Sequence, residues 1–338
     1  HFSAWSSGVV CAGFIGDRCM KKFGKRRVVW TACSGLVAGI ITIITAQLPA
    51  ITIAGAFLAG VCGSTMSQTM CVIIADRFLD LRAVAIAEAN IAASVCCSLS
   101  PVAISLFSKT SLGWRAALLL PIVAFLTYYL KGRHVLETVV EPEHKNTTGT
   151  GKLPAAYWLC WTLVLFSVAS EWTIIYWCAD FLEKVSGLSK ADAAASVSSF
   201  LLAMVTGRVI GSRLAREMKS QNMLKIASII SLVGFIVFWK GTSAAISICG
   251  LFVAGLGIAN FYPLTLSLAI GTAPGLSSTA TSRMSLASGA STLFAPFLLS
   301  IVAEKSGIAA AYGIVAVLLV LCIIMVFLPI WSSKRSSS

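Results

Sequence analysis

Apolar residues run along this chain in long blocks, separated by short stretches that hold most of the charge. The blocks cover approximately residues 1–16, 28–48, 51–74, 83–107, 114–130, 155–181, 191–210, 223–239, 243–269, 282–302 and 308–330. Most approach the ~20 residues that a helix needs to cross a ~30 Å hydrocarbon core. Each is bounded by charge, Gly or Pro, so the pattern predicts eleven membrane-crossing helices. The predicted fold class is all-α membrane protein.

Composition sharpens this picture. Of 338 residues, 57% are hydrophobic and 12% charged, and the mean hydropathy is +0.88. An average soluble domain is roughly half apolar and a quarter charged, so a water-soluble core is excluded. The net charge of +13 does not point to nucleic acid, because the basic residues sit in short clusters between apolar blocks. The 11 cysteines include no Cys-x-x-Cys pair and lie almost entirely inside the blocks, where they read as small apolar fillers. His1, His134 and His144 are terminal or in a polar stretch, which leaves a metal site without support. No phosphate-binding loop is present either, and no cofactor is expected.

The charge also sets an expected orientation. The loops after the first, third, fifth, seventh and ninth blocks, with the tail, hold 20 of the 26 Lys and Arg. The alternate set holds only Lys109, Arg115, Lys184, Lys190, Lys240 and Lys305. By the positive-inside rule the richer set is cytoplasmic, so the C-terminus is expected inside and His1 outside. The sequon at Asn146 then falls on the cytoplasmic side and should stay unmodified. The polar stretch 131–154 reads as a linker between an N-terminal bundle, 1–130, and a C-terminal bundle, 155–338.

An internal repeat links those bundles. Gly55, Phe57, Ala59 and Gly60 match Gly250, Phe252, Ala254 and Gly255 at an offset of 195 residues. At the same offset Gly16-Asp17-Arg18 matches Gly211-Ser212-Arg213, and Pro101 matches Pro296. Parallel repeats of this kind belong to two-bundle transport proteins. The offset puts the counterpart of block 155–181 about forty residues before His1, so twelve helices are expected, eleven of them in this sequence.

These features resemble the major facilitator superfamily over essentially the whole chain. The superfamily's loop motif has Gly, three residues, Asp-Arg, then Gly and basic residues after its second helix. Gly13, Asp17 and Arg18 fit, followed by Gly24, Arg26 and Arg27, with four extra residues, Cys19 to Lys22, between the halves. Those four residues equal about one helical turn, which a longer helix would absorb. Ala87, Cys96, Ser100 and Pro101 resemble the antiporter motif with small residues for its glycines, and Ile104 and Ser105 replace its Gly pair. Ser170, Glu171, Trp172, Trp177 and Asp180, with Gly257, Asn260, Tyr262 and Pro263, resemble the branch that includes fucose permease. The resemblance implies a major facilitator fold of two pseudo-symmetric bundles, and a multi-pass protein of the plasma membrane.

A carboxylate inside a bilayer must be paired, neutralised or solvated, which makes it a functional candidate. Glu171 lies sixteen residues into its block, with Ser167 one turn earlier on the same face. It could accept a proton or bind a polar solute, with Trp172, Tyr176 and Trp177 as walls. A carboxylate reaching external water, or one bonded to a neighbouring helix, is the plain alternative. Gln68, Asn90, Asn260 and Tyr262 could bind solute near the midplane, or equally hold helices together. The family's inter-bundle geometry suggests two latch pairs on the cytoplasmic side, Asp17 with Arg283 and Glu88 with Arg208. Glu88 could instead be the proton site.

The expected activity is alternating-access transport of a small organic solute, with protons as coupling ion, in a monomer surrounded by lipid. Uptake of a sugar or similar polar molecule stands ahead of proton-driven efflux of amphipathic compounds. A non-transporting solute sensor on the same fold also stays open. An enzyme would need a reactive constellation, and none is visible.

Overall fold

The computed structural model describes residues 1–111, 113–139 and 152–328. The expected sequon at Asn146, His144 and the basic residues Lys334 and Arg335 lie outside the described residues. All regular structure in the described residues is helical: α1 (Phe2–Phe23), α2 (Lys25–Thr45), α3 (Pro49–Arg77), α4 (Arg82–Ser108), a short 3-10 turn (Trp114–Leu118), α5 (Leu119–Val139), α6 (Ala155–Lys184), α7 (Lys190–Leu214), α8 (Ser220–Lys240), α9 (Ala244–Ile258), α10 (Phe261–Thr272), α11 (Ser277–Ser306), α12 (Ile308–Ala311) and α13 (Gly313–Phe327).

Within the described residues, each of the eleven apolar blocks therefore falls largely on helix. Among the described residues, nine segments are long and apolar enough to cross a membrane. The other two blocks fall short for visible reasons. Trp114–Leu130 is shorter, and α1 is diluted by Ser3, Ser6, Ser7 and the charges from Asp17 to Lys22.

Two boundaries differ from the apolar pattern. The fifth helix continues to Val139, into the stretch expected to be linker. One glycine costs only about 1 kcal/mol in a helix, so Gly132 alone does not end it. The block 243–269 is not continuous. It breaks between Ile258 and Phe261, where Pro263 deprives the carbonyl of Ala259, four residues back, of its N–H partner.

Contacts divide the chain into two units. The first comprises His1–Arg82, Val95–Leu153 and Ala273–Gly289; the second comprises Ala83–Ser94, Pro154–Thr272 and Ala290–Ser338. Compared with a division at the linker, the first part of α4 goes to the second unit and the first part of α11 to the first.

In the first unit α3 packs on α1 and α2. The close approach depends on residues without side chains. A Cβ on Gly60 would strike the carbonyl of Trp5, and one on Gly39 would come within 2.9 Å of the backbone of Gly55 and Ala59. Lipid tails are as apolar as Leu, so helices in a membrane gain from such close backbone contact rather than from burying leucines. Trp30 on α2 holds α5 through Tyr129 and Tyr128, with ring centroids 5.1 and 5.8 Å away.

The second unit repeats the device. α9 packs on α7 and α8, Gly255 sits against the carbonyl of Phe200, and Gly234 sits against the backbone of Ala254. Each of these positions lies 195 residues after its counterpart in the first unit. Element boundaries follow the same spacing. α2 spans Lys25–Thr45 and α8 spans Ser220–Lys240; α3 spans Pro49–Arg77, and α9 with α10 spans Ala244–Thr272; α4 starts at Arg82 and α11 at Ser277. The core of this unit is aromatic, with Phe181, Phe235, Phe238 and Tyr312 fully buried and in mutual ring contact.

Candidate functional site

The break between α9 and α10 organises a polar cluster in the second unit. With no N–H at Pro263, the Ala259 carbonyl accepts instead from Nε of Arg208 on α7, at 3.2 Å. The next residue, Asn260, donates from Nδ2 to the Gly207 carbonyl at 2.8 Å. Two consecutive residues at the break thus grip two consecutive residues of α7. Gly211 completes the fit, since a Cβ there would collide with the Asn260 amide.

Arg208 reaches further from that anchor. Its Nη1 donates to the Ser94 hydroxyl on the first part of α4, and that hydroxyl in turn donates a hydrogen bond to the Asn90 carbonyl at 2.6 Å. Its Nη2 faces Oε1 of Glu171 on α6 at 3.9 Å. The two side chains are only 14% and 15% exposed, which makes this a largely buried ion pair inside candidate spans. At 3.9 Å the contact is Coulombic and lies beyond hydrogen-bond range. Glu171 can therefore be exchanged against another acceptor without breaking a tight bond.

Aromatic rings flank this pair on α6. Trp172 follows Glu171, and its ring lies 6.2 Å from that of Tyr176, one turn on, which is exposed. Trp177 is instead engaged structurally, donating from Nε1 to the Pro296 carbonyl on the later part of α11 at 3.0 Å. Asn90 donates to the Ile86 carbonyl of its own helix, as an internal helix contact. Tyr262 lies partly buried beside the break.

One of the expected latch pairs, Glu88 with Arg208, needs correction. Glu88 meets the end of α7 through the Ser212 hydroxyl at 3.5 Å, and Arg216 in the turn after it at 2.8 Å, rather than Arg208. Arg208 sits inside α7, whereas Arg216 lies in the turn past the helix end at Leu214. Asp17 meets α11 as expected, through the Ser278 hydroxyl at 2.7 Å, five residues before Arg283. Lys21 holds the same carboxylate at 2.9 Å and also donates to Thr279. A parallel arrangement joins Asp76 to Lys25 at 2.9 Å and to Ser277 at 2.8 Å. Glu88 and Arg216 are 51% and 63% exposed, where an ion pair contributes at most about 1 kcal/mol. Glu88→Arg should therefore lower the midpoint of thermal unfolding by no more than roughly 2 °C, with recovery in Glu88→Arg/Arg216→Glu. A swap less stable than either single change would remove this pairing.

The loop-motif residues lie in the first unit. α1 absorbs the four extra residues as helix and ends at Phe23, and Gly24 takes φ 78°, a left-handed conformation suited to glycine. Arg18, Arg26 and Arg27 are exposed, while Gly13 lies against the backbone of Leu286 on α11. Gln68 is 3% exposed and donates to Ser64 at 3.0 Å; Ser64 in turn bonds Ser285 at 2.9 Å. Gln68 thus belongs to a buried contact among α1, α3 and the start of α11, in a different unit from Glu171.

Ser94 and Ser278 escaped the sequence reading, since a serine in a helix carries no distinguishing pattern; Ser212 entered it only as the repeat mate of Asp17, and Arg216 only as one of the basic residues on the richer side. The Ala259 carbonyl had a signal in Pro263. Among the described residues no group of His, Cys, Asp or Glu is arranged to hold a metal ion.

Comparison with known proteins gives a consistent picture. The sequence profile of the Major Facilitator Superfamily matches residues 1–282. An uncharacterised MFS-type transporter of Yersinia pestis is 27% identical over 161 residues, 48% of this chain and 41% of that protein. The alignment therefore spans less than half of that relative. The E. coli fucose:proton symporter superposes with a TM-score of 0.80 at 13% identity, over 98% of this chain and 90% of that one. A human organic anion transporter gives 0.77 at 17% identity, over 96% and 82%. A proton:xylose symporter gives 0.77 at 12%, over 98% and 85%. At these identities the solved structures establish a shared fold.

Proposed function

We propose that this chain, which belongs to the Major Facilitator Superfamily, carries a small polar organic solute across the membrane by alternating access, driven by protons through Glu171. The observation that supports this most is the buried Glu171–Arg208 pair at 3.9 Å. A carboxylate held in a candidate span by one loose ionic contact can take up a proton, and doing so releases its partner. Chemistry of that kind can tie proton movement to solute binding. The fold is shared with symporters described as fucose:proton and proton:xylose, which favours uptake over efflux.

In this reading the ends of α1 and α3 with Asp17 and Asp76, and the start of α4 with Glu88, face the cytoplasm, as their basic surroundings require. The Asp17–Ser278, Asp76–Ser277 and Glu88–Arg216 contacts then form the inner latch. They are hydroxyl–carboxylate bonds and exposed ion pairs, each contributing of order 1 kcal/mol, which suits contacts that part in every cycle.

The test is uptake by the full-length protein in proteoliposomes with an acidic exterior. Candidate sugars and sugar acids should accumulate above their outside concentration, and a protonophore should abolish the excess. Binding of a solute without any flux would identify a sensor and overturn the proposal.

A further inference from the structure

We infer that the solute is a monoanion, a carboxylate, that takes the place of Glu171 against Arg208 and enters with one proton in an electrically neutral step. This rests on the proton-coupled transport proposed above and adds the charge of the cargo.

The argument is one of charge balance in a low dielectric. With Glu171 ionised, the pair carries no net charge. Once Glu171 is protonated, Arg208 retains its full charge, and its other two contacts, the Ser94 hydroxyl and the Ala259 carbonyl, are neutral. Neither can compensate it. The elements packed against α6 do not compensate it either: α11, which meets α6 through Ser291 and Pro296, has as titratable groups Arg283, Glu304 and Lys305, all exposed and eight or more residues from that contact. α9, α10 and α13 contain no Asp, Glu, Lys, Arg or His; their titratable groups are Cys249, Tyr262 and Cys322. On α7 the other charged residues are Lys190, Asp192 and Arg213, of which the first two lie at its opposite end. From α4, Glu88 is occupied by Arg216. On α6 itself Glu171 is followed by Tyr176, then by Asp180, Glu183 and Lys184, nine or more residues on. An uncompensated buried charge of this kind is strongly unfavourable.

A neutral sugar entering beside protonated Glu171 would leave that charge in place. A monoanion restores neutrality. The geometry suits a carboxylate: Nε and Nη1 are tethered to the protein, and the Nη2 side of the planar guanidinium faces the position Glu171 would vacate. The proton adds to the Glu171 carboxylate, the cargo's oxygens accept from Arg208, and both leave on the other side. The proton's charge and the anion's cancel, so the membrane potential does no work on the loaded carrier.

Binding and flux test this with gluconate, lactate and benzoate as anionic probes and fucose and xylose as neutral ones. In the detergent-solubilised full-length protein, affinity for an anionic probe should rise about tenfold for each unit of falling pH, because each anion bound brings one proton. Glu171→Gln, neutral at every pH, should bind the same probe with an affinity that does not change with pH. In proteoliposomes containing a pH-sensitive dye, inward gluconate should acidify the lumen at a rate unaltered by a potassium–valinomycin potential. A neutral probe that acidifies the lumen faster when the interior is negative would overturn the inference while leaving proton-coupled transport intact. Equal pH dependence in Glu171→Gln and the parent would also overturn it. Solute flux insensitive to pH would instead sink the proton-coupled reading on which it rests.

Discussion

Glu171→Gln is expected to reduce gradient-driven accumulation about 100-fold under a two-unit pH gradient. The figure follows from stoichiometry. One proton per solute supports a concentration ratio of about tenfold per pH unit, each tenfold corresponding to ~1.4 kcal/mol. Without a titrating group the ratio falls to about one. Gln preserves the length of the side chain and an oxygen facing Arg208 but leaves that charge without its counterion, so the protein should insert with reduced stability, and a carrier that has lost only its coupling should still exchange solute down a gradient. Accumulation and downhill exchange, measured in the same vesicles, separate these effects. Full, still pH-driven accumulation by the Gln protein would remove Glu171 from the mechanism.

Arg208→Met should have the largest effect on stability. The change leaves Glu171 as a largely buried anion without its counterion, and removes the donor that serves the Ala259 carbonyl. Loss of one member of a buried ion pair costs about 3–5 kcal/mol, and an orphaned carbonyl adds to that. The unfolding midpoint in detergent should fall by roughly 5–10 °C. Combining it with Glu171→Gln removes the stranded charge and should restore more than half of the loss, the remainder being the unsatisfied carbonyl. If the single change proved as stable as the parent, or the double change no better than the single, the pair would not be the coupled unit described above.

The sequence and the structure agree best where the physics is local. Apolar blocks bounded by charge became helices, because in a bilayer every backbone polar group must be satisfied within its own segment. The helical turn added by Cys19 to Lys22 was equally legible. Partner choice was not. The offset of 195 residues, with the family's geometry, set α4 beside α7, yet α7 offers Arg208 and Arg213, and Arg216 follows in the turn after it. Which of them meets Glu88 depends on how far one helix slides along the other. Asp17 reaches the expected helix through Ser278, five residues before Arg283. The Glu171–Arg208 contact depends on a proline, a freed carbonyl and a third helix acting together, and none of these is a pattern along one block. Pro263 was conspicuous in the chain, but its effect appears four residues earlier and on another helix.

The constant spacing between the two halves has a consequence for how such a protein acquires a cargo. From the start of α2 to the start of α4, and from the start of α8 to the start of α11, segment ends recur in step, so neither half has gained or lost a residue against the other there. Their chemical difference is therefore one of spelling on a common ruler. Arg208 occupies the rung that Gly13 occupies in the other half. A scaffold ruled in this way can be re-tuned to a solute of different charge by single letters, leaving the length of every helix and turn as it was.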